Sequence, residues 1–95
     1  INSPVPEHAV LQQNFPNPFN PVTTIRYSLP EDDFVSVELF TTLGELVDVI
    51  EKGFKEKGEH EIILSFENYL LSSGIYYYSL KTSREMITKK LILLK

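Results

Sequence analysis

The chain has 95 residues, enough for one domain and too few for two, and its 42% hydrophobic and 23% charged content describes a cored unit, not a disordered tail. It has no cysteine, which excludes disulfide scaffolds, thiolate metal sites and cysteine nucleophiles, and its longest aliphatic run, Leu91–Leu94, is far short of the ~20 residues of a membrane-spanning helix. The net charge of −4 is uneven: residues 31–67 carry eleven acids against Lys52, Lys55 and Lys57, residues 81–95 carry five bases against Glu85, and the acidic middle argues against nucleic acid as a partner.

Residues 1–9 contain Pro4 and Pro6 and almost no periodicity, the composition of a linker, so the folded domain is expected over residues 10–95. Next comes Asn14-Phe15-Pro16-Asn17-Pro18-Phe19-Asn20-Pro21. Three prolines in eight positions exclude a helix and a central strand, and each residue before a proline is pushed toward extended geometry. The stretch is read as a rigid loop. Phe15 and Phe19 are expected to plug one end of the core, and Asn14, Asn17 and Asn20 to bond backbone groups, as asparagine does in turns.

Strand patterns follow. In residues 22–29, Ile25, Tyr27 and Leu29 alternate with Thr24, Arg26 and Ser28. Pro30 stops the run and Glu31-Asp32-Asp33 turns the chain. Residues 34–41 place Val35, Val37 and Leu39 opposite Ser36 and Glu38, and residues 42–45 form a turn in which Gly44 is free to take a positive φ. Residues 45–51 predict a short strand with Leu46, Val47, Val49 and Ile50, and residues 52–58 a polar loop. Residues 59–66 set His60, Ile62, Leu64 and Phe66 on one face, and residues 67–73 fit a single helical turn. Gly74 opens a strand with Tyr76, Tyr78 and Leu80 facing one way and Ile75, Tyr77 and Ser79 the other. After a turn at 81–85, residues 86–94 form the last strand. It carries Ile87, Lys89, Leu91 and Leu93 on one face and Thr88, Lys90, Ile92 and Leu94 on the other, so its end is apolar on both sides. Six to seven short strands with turns every 8–12 residues predict an all-β antiparallel sandwich.

The residues predict no catalytic group, no metal and no cofactor. His8 lies in the linker. His60 is flanked by Glu59 and Glu61, which alternation sends to the opposite face. Glu31-Asp32-Asp33 lacks the spaced oxygen ligands of a calcium loop and reads as a turn. Ser72 and Ser73 precede Gly74 without a nucleophile elbow, and no glycine-rich phosphate loop is present. Tyr76, Tyr77 and Tyr78 read as one core face plus one outer face.

Three landmarks in order carry a resemblance. They are Asn14-Phe15-Pro16-Asn17-Pro18-Phe19-Asn20-Pro21 with Thr23-Thr24-Ile25 behind it, the strand start Ser73-Gly74-Ile75-Tyr76-Tyr77-Tyr78, and the end Thr88-Lys89-Lys90-Leu91-Ile92-Leu93-Leu94-Lys95. Together they resemble the C-terminal sorting domain, type A, of proteins exported by the type IX secretion system, and Leu43-Gly44-Glu45-Leu46-Val47 fits the same family. The departure is Phe40-Thr41-Thr42, where relatives often have Tyr-Asp, and it is expected to alter one turn only.

The resemblance implies an immunoglobulin-like sandwich of about seven strands, similar to the immunoglobulin-like part of flagellar hook-cap proteins. It implies a non-enzymatic signal domain whose upstream cargo enters the periplasm by a signal peptide. Recognition by the outer-membrane type IX machinery and removal by a surface signal peptidase would follow, with the cargo left at the cell surface or outside. A chain that opens on Ile1 without a signal peptide fits a fragment of such a protein. The motif residues expected to matter are the loop from Asn14 to Pro21, Gly44, Gly74, Tyr76, Lys89, Lys90 and Lys95. Leu91–Leu94 with its lysines is expected to offer the exporter an apolar strip with a basic rim, or a free edge for an added strand, a second copy included. The alternative is a carbohydrate-binding or spacer module of an extracellular hydrolase, with Tyr77 or Tyr69 as a stacking platform.

Overall fold

The computed structural model describes residues 8–67 and 69–95. Seven strands follow in chain order: β1 (Val10–Leu11), β2 (Val22–Leu29), β3 (Asp33–Thr41), β4 (Leu46–Lys55), β5 (Gly58–Ser65), β6 (Gly74–Lys81) and β7 (Met86–Leu93). Period-two alternation makes each strand apolar on one face, and such faces leave water only by packing on another sheet. The result is a sandwich of a three-stranded sheet, β1-β2-β5, and a four-stranded sheet, β4-β3-β6-β7, with every pairing antiparallel. Ile25, Tyr27, Leu29 and Leu64 from the first sheet meet Val35, Val37, Leu39, Tyr76, Tyr78, Leu80, Leu91 and Leu93 from the second. Ile62, on the same side, is half-buried because β5 is the edge of its sheet.

Strand β4 is longer than its sequence suggests. The loop expected at 52–58 is mostly strand: Phe54 pairs with Phe34, Gly53 with Val35 and Lys52 with Ser36. Polar content at an edge strand is ordinary, because one side of it faces water. Two register shifts also break its alternation, leaving Val47 and Ile50 as the extra residues. Each shift is a bulge that re-aims the chain. Both extra residues pack against the core, while Asp48 and Glu51 lie opposite the inward Leu39 and Val37. Those two carboxylates are met by phenols: Tyr27 Oη donates to Glu51 at 2.6 Å and Tyr69 Oη donates to Asp48.

Other expectations need smaller changes. Among the described residues after Phe66 there is no helix; Tyr69 N–H donates to the Phe66 carbonyl in one turn, and seven residues are too few to hold a helix alone. The acidic turn spends its carboxylates on the protein. Glu31 pairs with Arg84, Asp32 accepts Lys57 N–H, and Asp33 accepts from Ser83. Thr41 Oγ1 accepts the N–H groups of Leu43 and Glu45, and Gly44 holds φ at +84° in that turn, so the unusual Thr41 builds the hairpin. Of the residues expected as linker, 1–7 lie outside the described residues, while Ala9 is buried and donates its N–H to Glu85.

The outward faces differ. On the three-stranded sheet, Arg26 pairs with Glu61 at 2.8 Å, Ser28 lies opposite Glu59 and Thr24 opposite Ile63. On the four-stranded sheet, Phe34 lies edge-on to Phe54, Phe40 is opposite Tyr77, and Ile75 is opposite Ile92.

Candidate functional site

The proline loop and the end of β7 form one assembly along the side of the sandwich where β1 and β7 are the sheet edges. The loop is held from inside. Tyr78 is fully buried, and its hydroxyl donates to the Gln12 carbonyl at 2.7 Å while accepting the Asn14 N–H at 2.8 Å. Burial pushes this phenol up to about 12, with the Asn14 N–H pulling the other way. The Asn14 side chain, also buried, donates Nδ2 to Thr23 Oγ1 and to the Pro16 carbonyl, and Thr23 Oγ1 donates to that same carbonyl at 2.9 Å. Phe15 exchanges two backbone hydrogen bonds with Thr24. A buried asparagine with these partners is satisfied, which is the condition for burying it at all.

From this anchor the loop crosses to the other sheet. Asn17 Oδ1 accepts the Ile92 N–H at 2.9 Å. Phe19 N–H donates to the Ile92 carbonyl, and the Phe19 carbonyl accepts the Leu94 N–H, so residue 19 pairs with Leu93 as a one-residue parallel strand. Gln13 Nε2 donates to the Lys90 carbonyl at 2.6 Å. The edge of β7 from Lys90 to Leu94 is therefore occupied by the chain itself, and the free edge expected there is not available for an added strand. The Phe19 ring, 2% exposed, packs edge-on against Phe66 at 5.1 Å, and Pro21 accepts the Phe66 N–H.

Phe19 thus plugs the sandwich as expected, and Phe15 does not: it is 76% exposed. The reason is register. Phe15 faces Thr24, whose side chain points outward on β2, so the ring follows it away from the core. Asn14 and Asn17 bond as expected; Asn20 is exposed and takes none of these bonds. Pro16 and Pro18 are exposed as well. The loop has an inner side that builds the fold and an outer side, Phe15-Pro16-Pro18-Asn20, that the fold leaves uncovered.

The C-terminal strand divides in the same way. Leu91 and Leu93 are fully buried beneath Tyr76 and Gly74, so the strip expected across Leu91–Leu94 is half core and only Leu94 of the four is exposed. Sequence alternation already sets Leu91 and Leu93 on one face; what it does not show is that the loop takes the backbone edge beside them. Lys89 lies opposite Tyr78 on the inner face of an edge strand, and Lys90 lies opposite Tyr77 on the outer face. The two lysines flank the edge from opposite sides, and an inward charge on an edge strand discourages strand-to-strand pairing. Lys95 N–H donates to Ser73 Oγ at 2.8 Å.

The remaining motif residues gather at this end of the four-stranded sheet. Thr41 is opposite Tyr76, which is opposite Leu91, so the Gly44 hairpin, the Gly74 strand start and the C-terminus lie together. Gly74 takes φ +150°, where a side chain is strained even though space is open around it. Tyr76 donates its hydroxyl to the Ser72 carbonyl at 2.7 Å and sets its ring against Phe66. Tyr69 is not a free stacking platform, because its ring rests on Phe66 and its hydroxyl is given to Asp48, which with burial pushes it up to about 12. Sequence reasoning missed Gln13, Thr23 and Tyr78 as loop anchors. The signal was available for Tyr78, since a tyrosine on a core face must find a partner for its hydroxyl.

A family model described as the secretion system C-terminal sorting domain matches residues 13–94. The match begins one residue before Asn14 and ends one short of Lys95, so it spans the assembly above except Gln12 and Lys95. No curated protein matches the chain. Among solved structures, the chain is similar to PorZ, described as an essential bacterial surface component of the type-IX secretion system of the human oral-microbiomic Porphyromonas gingivalis. The TM-score is 0.58 at 18% identity, over 92% of this chain and 11% of that one. The likeness shows a shared fold, and the chain spans about a ninth of that protein.

Proposed function

The chain belongs to the family of type IX secretion C-terminal sorting domains, and from that premise we propose that it is a non-catalytic signal that directs an upstream cargo across the outer membrane. The cargo reaches the periplasm by its own signal peptide, the outer-membrane machinery recognises this folded domain, and a surface peptidase then removes it. The cargo is left at the cell surface or released. The observation that carries the reading is the split of the proline loop. Its inner residues are buried and bonded, whereas Phe15 stands 76% exposed, and Asn20 is exposed as well. An exposed aromatic held by a rigid backbone is a good recognition element, because little entropy is lost when a partner covers it.

The test is a reporter fused ahead of this chain in a bacterium with the type IX machinery. Phe15→Ala/Asn20→Ala is expected to leave melting unchanged and to keep the reporter inside the cell. Lys89→Glu/Lys90→Glu is expected to weaken export for the same reason, through lost steering charge. Unmutated export by both variants would overturn the reading. Deleting residues 91–95 is not a usable test, since it removes the buried Leu91 and Leu93 and unfolds the domain.

A further inference from the structure

The outward face of the four-stranded sheet has a composition that folding does not call for. An antiparallel sheet packed on one side normally keeps its other side polar. Here Phe40, Ile75, Tyr77 and Met86 all point outward, with Met86 62% exposed, and Leu94 is exposed just past the end of β7. Contiguous apolar surface of this kind marks an interaction site, and aromatic residues and methionine are the types enriched at the centres of protein interfaces.

The face is also grooved. One hollow of about 410 Å³ lies between Phe34, Lys52 and Lys81, and a second of about 280 Å³ lies between Phe40, Tyr77 and Met86. Ser36 lines the first and Ser79 the second. Both hydroxyl oxygens are buried without a hydrogen-bond partner among the described residues, and Ser79 as a whole is 1% exposed. Neither oxygen is accessible from outside, so what the hollows offer a partner is their apolar and lysine-bearing rim.

The charges choose the occupant. Among the described residues, Lys52, Lys81 and Lys90 stand exposed on this face against one acid, Glu38, in a chain of net charge −4. A second copy docked face to face would set lysine against lysine. We propose that this face docks a different protein, one that presents an apolar patch rimmed by carboxylates. Resting on the reading above, that protein belongs to the outer-membrane secretion machinery. The face continues into the proline-loop assembly through Lys90 and Leu94, so one partner can cover both.

The experiment uses the same reporter fusion. Met86→Glu/Tyr77→Ser on this face is set against Val22→Glu/Ile63→Glu, exposed apolar residues of the other sheet. The first is expected to lower secretion about tenfold with melting unchanged, and the second to export normally. If the first variant melts early, Leu94→Thr and the charge pair Lys52→Glu/Lys81→Glu replace it, with Lys52→Arg/Lys81→Arg expected to export normally. Equal export by all of these, or equal loss from both sheets, overturns the inference. So does sedimentation as a dimer that Met86→Glu dissolves, since the occupant would then be a second copy. Failure of Phe15→Ala/Asn20→Ala alone would sink this inference and keep the sorting function; retention of the unmutated fusion would sink both.

Discussion

The two outward faces of the sandwich obey the same alternation and spend it differently. On the three-stranded sheet the outward positions mix Arg26 paired with Glu61, Thr24, Ser28 and Glu59 with the exposed apolar residues Val10, Val22 and Ile63. On the four-stranded sheet they hold Phe34, Phe40, Phe54, Ile75, Tyr77 and Met86. Burial beneath the two sheets is equivalent, since Ile25 and Leu39 are alike inaccessible. Folding therefore constrains the inward residues of both and leaves the outward residues open. The denser aromatic cover of the four-stranded face is therefore not something that folding requires.

The comparison is broken most severely from inside. Leu64→Ala under one sheet and Leu80→Ala under the other should each cost about 2–5 kcal/mol, read by urea denaturation, because each removes buried methyl groups and leaves a cavity. Similar losses are expected from both sheets; a loss under the four-stranded sheet alone would mean that the faces differ in stability as well as in use.

Next comes the anchor of the loop. Tyr78→Phe keeps the ring and removes one hydroxyl, stranding the buried Asn14 N–H and the Gln12 carbonyl, at a cost of about 1–3 kcal/mol. Hydrogen exchange should show Asn14 and Ile92 amides losing protection together, since the loop holds both.

Alkali gives a smaller, graded effect. Tyr69 and Tyr78 ionise at about 12 in the folded chain against 10.0 ordinarily. The folded state disfavours the phenolate, so the stabilisation is complete below pH 10 and is lost as pH rises toward 12. Tyr27, raised as well by burial and by Glu51, acts in the same direction. Melting temperature should hold to about pH 10 and then fall, and Tyr78→Phe should flatten the fall.

The smallest effects belong to the outward faces themselves. Arg26→Ala and Met86→Glu should each change stability by no more than about 0.5–1 kcal/mol, one because exposed ion pairs contribute little and the other because the side chain is in water. Equal, small losses in melting with unequal losses in secretion would sharpen the contrast between the sheets.

Much of this was legible without coordinates. Alternation alone separated Tyr27, Val37, Leu39, Tyr78 and Leu80 as core, because a strand's side chains can only point two ways. Three prolines in eight residues marked a loop, and the ordered motifs marked the family. Strand β4 was foreseen at 45–51, but its full length and its facing were not legible, because two bulges replace period two by steps that bring Val47 and Ile50 inward. Which phenylalanine of the loop is buried was decided by the register of Phe15 on Thr24 and of Phe19 on Leu93. Alternation put Leu91 and Leu93 on one face, but the backbone edge beside them was taken by a loop some seventy-five residues earlier in the chain, whose Asn17 caps Ile92. Local sequence determines which faces a strand offers; what covers each face is a non-local contact, and only the tertiary structure chooses it.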